Sequence, residues 1–118
     1  MNDIRPNTPS SHFYRIDRFV VPASGRTEFL DRVTTTHELL RNQDGFVRDL
    51  IVEQQSGPSE FNIVTLVEWT DQSVVEHVSA AVAKLHAAIG FDPHEMIGRL
   101  GIRADIAGYH ELDGQLKS

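Results

Sequence analysis

The side chains best suited to chemistry in this chain are a few histidines and one tryptophan, spread among alternating apolar runs. His77 and His86 share a segment in which Val74, Val78, Ala81, Val82, Leu85 and Ile89 recur at helical spacing. At about 100° per residue, that stripe leaves His77 on one border and His86 on the other, each about a quarter-turn from its centre. Border positions see both a cavity and solvent, and an imidazole titrating near neutrality can act there as a general base or a hydrogen-bond donor. The plainer alternative is a boundary residue satisfied by water or backbone. His37 falls inside the stripe formed by Phe29, Val33, Thr36 and Leu40. That position suits first of all a core histidine with a fixed partner, the alternative being one that lines a pocket between helices and sheet.

Trp69 ends a strand pattern on the side assigned to the helices, where an indole can stack on a flat ligand or simply fill the core. Earlier in the chain, Arg15 and Asp17 share a parity with Phe13, Phe19 and Val21, a mixture of charge and aromatic surface that suits a pocket wall. The other parity carries Tyr14, Ile16 and Val20, and if those residues face the core, the charges point outward. Tyr14 and Tyr109 offer phenolic donors with no local motif around them.

The elements that must position these residues are legible from periodicity. His12 to Val21 is rich in aromatic and β-branched residues and stops at Pro22, as a first strand would. Gly25 to about Asn42 repeats apolar residues at helical spacing, with Ser24 as the expected cap and Asp44-Gly45 as the turn after it. Phe46 to Gln54 and Phe61 to Thr70 alternate on either side of Ser56-Gly57-Pro58-Ser59, which predicts a hairpin. Asp71 is the expected cap of the second helix, and Gly90 ends it. Asp92-Pro93-His94-Glu95 starts a short third helix, and Leu100 to Glu111 gives a fourth strand. The result is an α+β, ferredoxin-like βαββαβ domain over residues 12–112, with a four-stranded antiparallel sheet.

Right-handed crossovers put both long helices on one face of such a sheet and leave the other face bare. Regular alternation from the hairpin turn places Phe46, Leu50, Val52, Phe61, Ile63, Val67 and Trp69 toward the helices, and Val47, Ile51, Val64 and Leu66 on the bare face. Asp49, Glu53, Asn62 and Glu68 interrupt that second set, but an exposed apolar patch of this kind predicts a homodimer through the sheet face.

Composition removes other classes. The absence of cysteine excludes disulfides, thiolate chemistry and sulfur-based zinc sites. No glycine-rich phosphate loop, nucleophile elbow or paired-histidine zincin motif is present, and the histidines are too dispersed to nominate a metal site. No metal and no organic cofactor are expected. With a formal charge of −6 and no cluster of lysine or arginine, nucleic acid is not an expected partner. No apolar stretch approaches the roughly 20 residues of a membrane span. Met1 to Ser11 has the character of a loose polar arm and not of a secretory signal, and 113–118 that of a polar tail. The expected location is the cytoplasm.

Phe29 in the first helix, Asp44-Gly45-Phe46 at the entry to the second strand, and Val67-Glu68-Trp69-Thr70-Asp71 leading to Glu76-His77 form a recurrent pattern. Through it, the run from Phe13 to Tyr109 resembles the antibiotic biosynthesis monooxygenase family, whose members are dimeric α/β barrels. The resemblance implies a cofactor-independent monooxygenase that oxidises a small aromatic or quinol-like substrate with dioxygen between helices and sheet. It makes His77 the first candidate for the base, with His37 or His86 as alternatives, and has Trp69 and Asp17 position the ring, while Arg15 and Phe19 belong to the substrate-binding wall. The haem-degrading branch uses a first-strand asparagine, a tryptophan in the second helix and a later helical histidine. Here Asp17 and His77 stand roughly at the first two places, and only His86 matches the third. The remaining alternative is a ligand-binding dimer without turnover.

Overall fold

The sheet is antiparallel throughout, and its strands lie in the order that two split crossovers produce. In the computed structural model, which describes residues 12–112, the elements run β1 (Phe13–Val20), α1 (Arg26–Leu40), β2 (Phe46–Glu53), β3 (Ile63–Trp69), α2 (Val74–Ala88), α3 (Pro93–Leu100) and β4 (Arg103–His110). The strand order is β2-β3-β1-β4. This is the expected ferredoxin-like α+β topology. The expected arm over 1–11 and tail over 113–118 lie outside the described residues. No single helix among those described is long and apolar enough to cross a membrane.

Two expected caps are replaced. Ser24 sits in a 3-10 turn, Ala23–Gly25, and α1 starts behind Gly25 with no side-chain cap. Asp71 lies one turn too early to cap α2, and its Oδ1 instead accepts from the Ser73 N–H at 3.0 Å. The third cap stands as expected, because Asp92 Oδ1 accepts from the N–H groups of His94 and Glu95 at 3.0 and 3.4 Å, with Pro93 opening α3.

The entry to β2 depends on Gly45, which has a φ of +88°, and a Cβ built there would lie 2.8 Å from Val74 Cγ2. Both the left-handed backbone and the close approach of α2 demand glycine. Gly45→Ala should therefore lower stability by about 1–3 kcal/mol. Gly98→Ala in α3, where nothing lies within 4 Å, should be neutral or slightly stabilising. Thermal unfolding of the two variants side by side checks both.

The pairing of β2 departs from regular alternation. Phe46 is opposite Trp69, but Arg48 is opposite Glu68, so Val47 is an extra residue in the strand. Such a bulge reverses the parity of everything after it. Asp49 and Ile51 consequently face the helices, opposite Val67 and Thr65, while Leu50 and Val52 join Leu66 and Val64 on the open face. The expected placement of Ile51 outward and of Leu50 and Val52 inward is corrected accordingly. One row of the open face, Leu50, Leu66, Ile16 and Ala107, is apolar across all four strands.

Beneath the helices the core is divided. Phe19, Val21, Phe29, Ile63, Met96 and Ile102 form one buried cluster, and Leu40, Val67, Trp69 and Val78 form another. The sheet residues that face the gap between them are Asp17 and Thr65, and α1 adds His37. Polar side chains at the centre of a two-layer sandwich hold the two apolar clusters apart, and the space left there is the site described next.

Candidate active site

A cavity of about 710 Å³ runs between the helical layer and the sheet. Its sheet wall comes from alternate positions of three strands: Arg15, Asp17 and Phe19 of β1, Thr65, Val67 and Trp69 of β3, and Ile106 of β4. Arg15 and Asp17 thus lie on the parity that faces the helices. Phe19 and Phe29 meet edge to face at 4.8 Å, and Trp69 is braced by Phe46 at 5.8 Å. The aromatic walls are fixed by neighbours that themselves belong to the core.

His37 is buried, and its Nδ1 lies 2.8 Å from Asp49 Oδ2. Arg41 completes the line from the solvent side, its Nε and guanidinium N–H donating to the two Asp49 oxygens at 3.1 and 2.9 Å. These Arg41 hydrogen bonds hold the Asp49 carboxyl below its ordinary range, helped by His37 and against the effect of burial. An ionised Asp49 accepts the Nδ1–H of His37 and leaves Nε2 as the basic nitrogen of a residue that lines the cavity. The bulge at Val47 makes this contact, because it turns Asp49 inward.

Asp17 has the opposite character. Burial pushes its carboxyl above the ordinary value, although Arg15, at 2.9 Å, and His37 pull it down, and Asp105 adds to the rise. A group whose folded pKa is raised contributes most to stability at acid pH and loses that contribution as pH rises through the folded value. Asp17→Asn, which does not titrate, should therefore gain in melting temperature relative to wild type between pH 4 and pH 7. Melts at the two pH values check this, and an unchanged difference would mean that the Arg15 pair fully offsets burial.

His86 also lines the cavity. Its ring edge meets Phe91 at 5.0 Å, and Nε2 lies 3.3 Å from Thr36 Oγ1. Burial, and then the charge of Arg32, lower its pKa, which favours the neutral ring. His77 is exposed and is not part of the wall. Nine residues at about 100° each put it on the opposite side of α2 from His86, and the cavity lies on the His86 side. The structure therefore brings together Arg15, Asp17, Phe19, His37, Trp69 and His86, and leaves His77 outside. Asp49, Arg32, Thr36 and Phe91 enter the site without having been singled out in the sequence. Thr36 stands next to His37, and Arg32 one turn before Thr36 on the same helix, where both could have been found, whereas Asp49 is hidden by the bulge.

No family model matches the sequence, and no curated protein is recognisably similar to it. Solved structures are more informative. A protein from Shewanella loihica, provisionally assigned as a monooxygenase, superposes with a TM-score of 0.65 at 13% identity, over 89% of this chain and 97% of its own. SnoaB, a cofactor-independent oxygenase from Streptomyces nogalater, gives 0.59 at 16% identity, over 91% of this chain and 99% of its own. MhuD, a haem degrader from Mycobacterium tuberculosis, gives 0.62 at 15% identity, over 84% of this chain and 94% of its own. All three are antibiotic biosynthesis monooxygenase-like α/β barrel proteins. This chain has their fold. At such identities the likeness extends to the backbone and not to the chemistry, which the site itself has to supply.

Proposed function

We propose that the chain is a cofactor-independent monooxygenase that oxidises an electron-rich phenol or hydroquinone-like aromatic with dioxygen inside this cavity. The observation that carries the reading is His37, held by Asp49 at 2.8 Å in the wall of a cavity of about 710 Å³ that Trp69 also lines. That volume lies within the roughly 300–1,000 Å³ of typical small-molecule sites. The fold shared with SnoaB, which works without a cofactor, supports it.

His37 Nε2 takes the phenolic proton, and Asp49 steadies the resulting imidazolium as the orienting carboxylate of a base does. The phenolate passes one electron to dioxygen, and superoxide and the substrate radical combine at a ring carbon to give a hydroperoxide. Its O–O bond then breaks. The C–H bond at that carbon breaks in the same step, so one oxygen atom stays as a quinone carbonyl and the other leaves as hydroxide, which the proton from carbon turns into water, the phenolic proton having gone from His37 to the peroxide. The substrate supplies all four electrons. Trp69 and Phe19 hold the ring, Asp17 orients the Arg15 guanidinium through their ion pair, and Arg15 offers N–H donors to the reduced oxygen. His77, exposed on α2, has no part in this scheme.

The reading includes a homodimer formed through the open sheet face, supported by the apolar row Leu50, Leu66, Ile16 and Ala107. Haem is less well served. The histidine that would face it, His86, has its Nε2 turned to Thr36 Oγ1 at 3.3 Å. Oxygen uptake by metal-free protein with a panel of phenols and hydroquinones tests the reading. Turnover above spontaneous oxidation is expected for at least one of them, and ligands that bind without turnover would leave a binding protein.

A further inference from the structure

One charge in the cavity wall has no part in the chemistry above. Arg32 lies half-buried on α1 and lines the cavity. Each of the other arginines among the described residues has a carboxylate partner, from Arg15 on Asp17 inside the wall to Arg103 on Glu60 beyond it. Arg32 is the exception among them. Glu28, one helical turn earlier, is taken by Arg99 at 3.1 and 2.7 Å. Asp92, also in the wall, uses its Oδ1 to cap α3. The Arg32 guanidinium instead sits over the Phe91 ring, 4.8 Å from its centroid. Phe91 also meets His86, and His86 meets Thr36, so a planar cation, an imidazole and a hydroxyl gather in one part of the wall.

The chain carries a formal charge of −6, so carboxylates are in excess over cations. Glu28 contributes only the field of its charge, since its oxygens are held by Arg99, and a half-buried guanidinium without an ion-pair partner among the described residues is better satisfied by a carboxylate that enters the cavity. The rigid fork of N–H donors on arginine matches a carboxylate in both geometry and charge.

We propose that the natural substrate is an aromatic acid whose carboxylate rests on Arg32, flanked by Thr36 and His86, while its ring lies toward Trp69. This rests on the reading of the cavity as an aromatic substrate site. The acid group fixes which end of the substrate enters, and it thereby sets the ring carbon that meets oxygen.

Calorimetric titration with 6-hydroxy-2-naphthoate and 2-naphthol at neutral pH separates the two ideas, since the probes share a phenolic ring system and differ in the carboxylate. The acid should bind about 10- to 100-fold more tightly, the range expected for hydrogen bonds to a charged group. Arg32→Gln should abolish the preference by weakening the acid, Arg32→Lys should keep part of it, and Arg103→Gln on the surface, whose partner is Glu60, should keep all of it. Rising salt should weaken the acid and not the naphthol, a measurement on wild type that stands even if Arg32→Gln fails to fold. If 2-naphthol binds but the acid binds no better, or if the preference survives in Arg32→Gln, the proposal is overturned and the aromatic site remains. If neither probe binds wild type, the aromatic site falls and the proposal with it.

Discussion

Replacing His37 by asparagine should lower the rate of oxygen uptake with a productive phenol by about 10²- to 10⁴-fold, the usual loss when a general base is removed. Asparagine is smaller than histidine but can still donate a hydrogen bond to Asp49, so the fold is tested separately by its melting curve. Asp49→Asn should cost less than His37→Asn but should change the pH dependence of the rate, because an amide accepts a weaker hydrogen bond from Nδ1–H and no longer compensates the imidazolium. His77→Ala should leave the rate unaltered, since that side chain is exposed and outside the cavity wall. A fully active His37→Asn would end the assignment, and a silent His77→Ala alone would not rescue it. If turnover survives in His37→Asn and is lost in Asp17→Asn instead, the base is the carboxyl that burial has pushed upward.

Leu66→Asp should convert the protein from a dimer to a monomer at micromolar concentration, as read by sedimentation. Leu66 lies in the middle of the open face, between Leu50 and Ile16. Dimerisation through that face would bury the new carboxylate without a partner, at a cost of about 3–5 kcal/mol for each copy. The monomer itself loses little, because Leu66 is not in either buried cluster. A substitution on the outer side of the helices, such as His77→Ala, should leave the assembly as it is. A wild-type monomer, or a Leu66→Asp variant that remains dimeric, would place the contact elsewhere or nowhere.

The parts of this molecule that repeat were legible in the sequence, and the parts that depend on a single exception were not. Alternation over Phe13–Val20 and the helical stripe of α2 span enough residues for a period to declare itself, so the element order and the antiparallel sheet follow from them. The Trp69 position in the wall follows from the same alternation, whereas alternation left both parities open for Asp17 and the structure puts it in the wall. Val47 breaks it by one residue, and no period survives a one-residue insertion in an eight-residue strand. Asp49 therefore seemed to be a surface acid, and the partner of His37 could not be named. His77 and His86 are a different case. Periodicity puts both on the borders of an apolar stripe but does not say which border meets the cavity, and that is decided by how α2 sits on the sheet. Arg32 was invisible for a further reason, since what distinguishes it is the lack of an ion-pair partner among the described residues, which only the set of contacts reveals.

The bulge at Val47 bears on two features at once, the support of His37 and the evenness of the open face. If the same residues paired with β3 without a bulge, Asp49 would turn out onto the open face and Leu50 would come in among the cavity residues. The histidine–aspartate contact and the apolar row of the open face therefore share a single register, and a slip of one residue in β2 would undo both together.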